Sequence, residues 1–204
     1  RVDAMQRKQG EWVIFNSARN KILEKGRYKD GKKVGVWTTY YVDGGKQSEI
    51  EYKNGEPNGY TRIYYKNGNL SEEGIWNGDK WTGLYKFYYK NGKLAYKWNY
   101  NKKGQRTGRQ FYFHPNGKVK MVGNWQDGKK QGDLKSYNEN GELLAVEEFA
   151  NGSKTRNKPV DEYKGVQEEY EVQETEPKVE SQGVFDGNGE HTLYNAQEQP
   201  VRKG

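Results

Sequence analysis

The chain has 204 residues, of which 31% are hydrophobic and 31% charged, and it is therefore too polar for a thick buried core at this length. Its 6 Trp, 17 Tyr and 6 Phe argue against disorder, because disordered chains contain few aromatic residues. The absence of Cys excludes disulfides, thiolate metal sites and a cysteine nucleophile. We therefore expect an ordered protein with shallow packing.

Glycines recur at a regular interval along the chain. Counted from Gly10, successive repeat starts lie 25, 24, 24, 25 and 24 residues apart, and after a longer interval the last two are again 24 apart. These repeat-start glycines are Gly10, Gly35, Gly59, Gly83, Gly108, Gly132, Gly165 and Gly189. Such a period is typical of repeat proteins, in which each unit packs on its neighbours.

An aromatic residue stands five positions after every repeat-start glycine and marks the first predicted strand of each copy. These residues are Phe15, Tyr40, Tyr64, Tyr88, Phe113, Tyr137, Tyr170 and Tyr194. Because equivalent positions of neighbouring hairpins lie side by side, we expect these rings to stack as a structural ladder. A turn then follows, as Asn67-Gly68 does in the third copy, and Asn-Gly favours tight hairpins.

The second half of each copy predicts a second strand. In the third copy it runs from Leu70 to Trp76, and a turn follows it. Turns thus recur about every 12 residues, which leaves room for short strands but not for helices. The spacing predicts an all-β fold: an elongated antiparallel meander of about eight 24-residue β-hairpin repeats, arranged as a single-layer twisted sheet.

The C-terminal part departs from this pattern. The interval from Gly132 to Gly165 is 33 residues, eight or nine more than the others, which we interpret as an insertion loop at 157–164. Residues 1–156 then hold six basic repeats, and 165–204 hold an acidic seventh repeat and a truncated eighth. Residues 161–182 have a net charge of −6, which leaves +13 on the rest of a chain whose net charge is +7. Lysines protect exposed turns from aggregation, and a basic platform also suits an anionic polymer or an acidic protein.

The residue after each ladder aromatic indicates a candidate contact surface. Side chains alternate between the two faces of a strand, so this position points away from the ladder. The second to fourth copies therefore place several aromatic residues on one face, which we take as the candidate interaction face. Its members are Trp37, Tyr41, Tyr65, Tyr85 and Tyr89. An equally open interpretation is that these rings pack, since a single-layer sheet can bury aromatic residues on both sides.

No constellation of catalytic or metal-binding residues is apparent in the sequence. The two histidines, His114 and His191, stand in different copies, and we interpret them as surface residues next to turns. The residues 186–190 lack the spacing of a calcium loop, and no helix follows the glycines as a phosphate-binding loop requires. We therefore predict no enzyme activity, no catalytic residue, no metal and no cofactor.

The repeat resembles a known family. Residues 35–41 (Gly-Val-Trp-Thr-Thr-Tyr-Tyr), 64–70 (Tyr-Tyr-Lys-Asn-Gly-Asn-Leu) and 73–78 (Glu-Gly-Ile-Trp-Asn-Gly) are similar to the bacterial variant of the MORN repeat, found in YwqK-family antitoxins. The resemblance implies an elongated β-hairpin sheet and association with proteins or membrane surfaces. The chain departs from the pattern at Ser136 and Asn138, which flank Tyr137 where a Tyr pair is usual, and at Glu176-Pro177 in the seventh copy, where Asn-Gly is usual.

These observations favour a non-catalytic repeat scaffold that binds a protein at the bacterial cell envelope. One alternative is binding of an anionic or glycan envelope polymer through aromatic and lysine side chains, and another is an antitoxin that neutralises a cognate toxin. Nucleic acid is a lesser alternative, and no segment is long and apolar enough to span a membrane. The chain opens on Arg1 within ten residues of the first repeat, so we expect an export signal removed from an extracytoplasmic protein, or a trimmed chain. A true antitoxin would be cytoplasmic.

Overall fold

A computed structural model describes residues 1–163 and the backbone of three later strands at 184–185, 191–194 and 200–201. The chain divides into two units, Arg1–Lys164 and Gly165–Gly204. In the second unit, β14 (Val184–Phe185), β15 (His191–Tyr194) and β16 (Pro200–Val201) pair antiparallel in chain order.

The first unit is a single sheet of thirteen strands in which every strand pairs antiparallel with its neighbour in the chain. The strands are β1 (Gly10–Phe15), β2 (Ile22–Lys29), β3 (Lys32–Tyr40), β4 (Lys46–Lys53), β5 (Glu56–Tyr64), β6 (Leu70–Asn77), β7 (Lys80–Tyr88), β8 (Leu94–Tyr100), β9 (Gly108–Phe113), β10 (Val119–Gln126), β11 (Lys129–Tyr137), β12 (Leu143–Ala150) and β13 (Ser153–Lys158). The prediction of an all-β antiparallel meander of hairpin repeats is confirmed.

Two kinds of turn alternate along the two long edges of this sheet. Most second turns are two-residue loops such as Asn54-Gly55, in which both residues have positive φ, as a type I′ hairpin requires. From the second to the sixth copy the first turns are five-residue loops: in the third copy, the Tyr65 amide donates to the Asn69 carbonyl at 2.8 Å, and only Gly68 has positive φ. There the Asn67 carboxamide oxygen accepts from the Asn69 amide, so this Asn acts through its side chain.

The repeat-start glycines are explained by a β-bulge. In the second copy Lys25 pairs with Thr38 and Arg27 pairs with Val34, so three residues of β3 lie opposite one residue of β2. Gly35 lies in this bulge with a φ of +65°, a conformation that side-chain-bearing residues rarely adopt. The periodic glycine is therefore required by the backbone.

Most of the large buried rings lie on one face of the sheet, which we call the aromatic face. Cross-strand partners on it form two runs of rings in contact, with centroids 4.8–6.5 Å apart. The first run is Trp12, Tyr28, Trp37 and Tyr52, and the second contains Trp76, Trp81, Tyr85, Trp98, Tyr112 and Trp125. Such contacts stabilise each repeat against the next, since a single hairpin is marginal alone.

The predicted insertion loop begins with regular structure. Residues 157 and 158 complete β13, and Val160–Tyr163 form a 3-10 helix. The Lys158 ammonium lies 2.6 Å from an Asp133 carboxylate oxygen, and the Tyr163 hydroxyl donates to the other oxygen at 2.8 Å. The first unit thus continues to the end of this segment. The division into six basic repeats, an acidic seventh repeat and a truncated eighth stays a prediction.

Candidate binding groove

Two of the five predicted contact residues are buried. Trp37 is 1% exposed and Tyr85 is 7% exposed, so neither ring is accessible to a partner, and the prediction is corrected for both. Trp37 lies flat on the backbone at Gly26, and the Lys33 ammonium covers its ring at 4.0 Å from the ring centroid. Strand alternation gave the face of these residues, but it could not show what covers them.

The other three predicted contact residues tie neighbouring copies together. The Tyr41 hydroxyl donates to the Tyr64 carbonyl at 2.6 Å, Tyr65 to Tyr88 at 2.7 Å, and Tyr89 to Phe113 at 2.8 Å. Each bond joins the start of the first turn in one repeat to the last residue of the first strand in the next. We call this series the hydroxyl clamps. The three rings remain half-buried, so a contact role for them stays a prediction.

His114 takes the clamp position in the fifth copy. Its Nε2 lies 2.9 Å from the Tyr137 carbonyl oxygen, which can only accept, so Nε2 carries a proton in this bond. His114 is thus a structural residue beside a turn. His191 belongs to β15, where only the backbone is described.

The predicted ladder lies on the opposite face. Phe15, Tyr40 and Tyr64 make no ring-to-ring contact within residues 1–163, so the structure does not stack these three rings, and the ring row runs along the aromatic face instead. Phe113 is buried against the Phe111 ring at 6.2 Å. Tyr170 lies outside the described residues, as does the side chain of Tyr194.

The ladder tyrosines of the central copies join a network of charges. The Tyr88 hydroxyl donates to Glu73 at 2.6 Å, and Tyr60 donates to the other oxygen of the same carboxylate. Burial opposes ionisation of Glu73, but these donors and the Lys86 ammonium at 3.5 Å outweigh it and hold its pKa below the ordinary value. Burial and donation to Glu49 at 2.7 Å raise the pKa of Tyr64 to about 12. The charged groups of this network are paired with one another, so we assign the network a structural role.

An open groove of about 520 Å³ lies on the aromatic face where the fourth to sixth copies meet. Cross-strand neighbours Tyr96, Tyr112, Met121 and Ser136 form one row along it. The first turns and their flanks supply the other lining residues. These are Tyr89, Phe113, His114, Lys120, Tyr137, Asn138, Glu139 and Leu144. Its volume and its apolar lining with a few polar groups fit a binding site. We call it the binding groove.

The groove opens where the repeat pattern changes. Four residues after the repeat-start glycine, the fourth and fifth copies carry Phe87 and Tyr112, whereas the sixth carries Ser136. Two residues further on, Asn138 takes the place of the clamping Tyr89, and its carboxamide bonds within its own turn to Glu142 at 2.6 Å. Both changes replace large side chains by small ones and leave space beside Met121.

Sequence reasoning did not assign the groove. Tyr96, Met121 and Leu144 lie in second strands, outside the repeat positions from which the contact face was predicted. The available signal was the departure at Ser136 and Asn138, which marks the copy where the groove opens. Leu144 is 59% exposed at the groove, so most of this apolar residue is open to solvent.

Within residues 1–163 no group of three or more His, Asp or Glu could hold a metal ion. No helix in the described part of the chain is long and apolar enough to cross a membrane.

A profile of one protein family matches most of the sheet. The family is described as MORN repeat variant, and its repeat matches five times, at residues 33–54, 57–77, 81–102, 106–127 and 130–151. Each match covers one two-stranded hairpin and begins two residues before a repeat-start glycine.

Other comparisons are less informative. A search of curated proteins finds no match. Among solved structures, the chain is similar to a mutant of S. aureus TarM in complex with Fondaparinux, alpha-GlcNAc-glycerol and UDP, with 14% identity and a TM-score of 0.32. The similarity covers 62% of this chain and only 22% of that protein, and at this TM-score it supports no conclusion about function.

Proposed function

The chain belongs to the MORN repeat variant family, and from this premise we propose that it is a non-catalytic scaffold whose binding groove receives an apolar segment of a partner protein. The observation that carries this proposal is the exposed Leu144 beside an aromatic groove in an otherwise polar chain. Other exposed apolar side chains, such as Val36 at 58% and Val42 at 72%, do not line this groove.

The composition of the groove supports a protein partner. Tyrosine and methionine are enriched in protein interfaces, and a few such residues in a pocket carry most of the binding free energy. Tyr96 and Tyr112 offer half-buried rings, Met121 adapts to irregular surfaces, and Lys120 and Glu139 supply charges at the border. An extended segment with one large apolar side chain matches this arrangement.

The resemblance to YwqK-family antitoxins supports a narrower form of the proposal, in which the partner is a toxin encoded in a neighbouring reading frame. The association with membrane surfaces that the MORN resemblance implies supports a different form, in which the protein lies at the cell envelope. Fractionation of the source cells checks the location, and co-expression with the product of the neighbouring frame checks the antitoxin form.

Photo-crosslinking tests the groove directly. A benzoyl-phenylalanine at position 144 should give one discrete covalent adduct in extracts of the source organism, because that side chain lies at the groove. The matched control is the same analogue at Val36, which is 58% exposed on β3, outside the groove. With the purified partner, Leu144→Asp should weaken binding at least about tenfold, while Val36→Asp should not. Equal adducts at both positions, or none at position 144, would contradict the proposal.

A further inference from the structure

The second turns form a basic edge of the sheet, opposite the edge that carries the first turns. The five turns at 29–33, 53–57, 77–81, 101–106 and 126–130 hold ten Lys or Arg and four Asp or Glu. The first turns hold only five Lys or Arg and three Asp or Glu. These five turns are at 41–46, 65–70, 89–94, 114–119 and 138–143. The positive charge is thus concentrated on one edge, which we call the second-turn ridge.

The ridge is continuous from copy to copy. The amide of a second-turn glycine donates to a backbone carbonyl of the preceding repeat, as Gly55 does to Lys33 at 2.9 Å and Gly152 to Lys130 at 2.9 Å. Equivalent turns are two strand spacings apart. Successive turns therefore lie about 10 Å apart, and the five turns together span about 40 Å. The turns of the ridge therefore recur at a nearly constant interval, and each of the five contains at least one lysine.

Most cations of the ridge are not neutralised by the protein. Salt bridges within residues 1–163 engage Lys33 with Glu24 at 2.6 Å and Lys80 with Asp79 at 3.3 Å. The remaining lysines of the ridge form no ion pair in that part of the chain. They are Lys29, Lys32, Lys53, Lys102, Lys103, Lys129 and Lys130.

A second row of cations is held in place by the aromatic face. Two residues before the repeat-start glycine, a cation lies over a ring in the second, fifth and sixth copies. The distances to the ring centroid are 4.0 Å from Lys33 to Trp37, 3.8 Å from Arg106 to Trp98, and 4.5 Å from Lys130 to Phe149. These contacts restrict the side chains and place their charges beside the free lysines.

We propose that the second-turn ridge binds a linear polyanion that carries phosphate or sulfate groups along a flexible chain. Unpaired, compact ammonium groups in four of the five turns suit a ligand whose own charges repeat, because each of these turns can then make the same contact. An acidic protein surface has no such repeat. This ridge is separate from the binding groove, so the two proposals can fail independently.

Salt-dependent binding of two probes tests the ridge. Inorganic polyphosphate and a heparin oligosaccharide distinguish phosphate from sulfate, and poly-glutamate represents an acidic polypeptide. Replacing Lys32, Lys102 and Lys129 by Gln should weaken binding of the preferred probe at least about tenfold at low salt. It should also reduce the slope of log affinity against log salt by about 2, since each lost contact releases fewer counterions.

The matched control removes the same charge from the other edge. Lys66, Lys90 and Lys118 are exposed in first turns, and their replacement by Gln should leave the affinity and the slope nearly unchanged. Equal losses in the two triple variants would show that only net charge matters and would overturn the proposal. So would the absence of binding by both phosphate and sulfate probes, or tighter binding of poly-glutamate.

Discussion

Gly26 allows the most deeply buried ring of the sheet to lie against the backbone, and its replacement by Ala tests how the repeats pack. A Cβ atom at this position would lie 2.4–2.6 Å from three atoms of the Trp37 indole, closer than carbon atoms can approach. The indole cannot move aside freely. Its Nε1 donates to the Arg27 carbonyl at 3.0 Å, and the rings of Tyr28 and Tyr52 lie on either side.

The expected cost follows from these contacts. Overpacking a buried site costs about 1–3 kcal/mol, and losing the indole hydrogen bond adds about 1 kcal/mol. We therefore expect Gly26→Ala to reduce the free energy of unfolding by about 2–4 kcal/mol. Urea denaturation followed by circular dichroism measures it. Gly45→Ala is the control, since a Cβ there meets only an Asp43 carboxylate oxygen at 3.3 Å. It should cost less than about 1 kcal/mol.

A double-mutant cycle separates this clash from a change in backbone freedom. Replacing Trp37 by Leu removes the ring atoms that the new Cβ would meet, so Gly26→Ala should cost less in that background. Equal costs of Gly26→Ala and Gly45→Ala, or strict additivity with Trp37→Leu, would refute the packing argument.

Two further predictions concern the hydroxyl clamps and the buried charges. Tyr65→Phe removes a hydrogen bond to the next repeat, so it should lower the free energy of unfolding in urea by about 0.5–1.5 kcal/mol. Tyr40→Phe is the control and should have little effect, because the Tyr40 hydroxyl forms no hydrogen bond in the described structure. The pKa of Glu73 in the folded state lies below its unfolded value, which is near 4.5. The ionised Glu73 therefore stabilises the fold above the unfolded pKa, and this contribution is lost as pH falls through the folded pKa. Denaturation midpoints at pH 7 and pH 3 should therefore differ less in Glu73→Gln than in the unchanged protein, and an identical difference in both would contradict the assignment.

The binding groove and the second-turn ridge arise in different ways from one repeat. The ridge adds together features that most copies share, namely a turn with nearby lysines. The groove depends on one copy that differs, since Ser136 and Asn138 remove the bulk that Tyr112 and Tyr89 provide elsewhere. Repetition thus builds an extended charged edge, while a local departure from repetition creates a place for a specific contact.

The strands, the turns and their antiparallel order were determined by the sequence alone. They depend on local chemistry: a glycine with positive φ such as Gly35, a turn dipeptide such as Asn54-Gly55, and an aromatic residue at a constant distance from both. These signals act within a few residues, and they repeat with the same period as the hairpins. The prediction could therefore be made without knowledge of any long-range contact.

Which side chains are exposed, and which groups they contact, was decided only by the tertiary structure. The sequence placed Trp37 on a contact surface, but the Gly26 backbone of the neighbouring strand and Lys33 of its own strand cover it. Tyr65 finds its acceptor 23 residues away in the next copy, and the groove combines side chains from three copies. Alternation along a strand specifies the face of a side chain. Its accessibility depends on the size of the side chains that the adjoining repeats place around it.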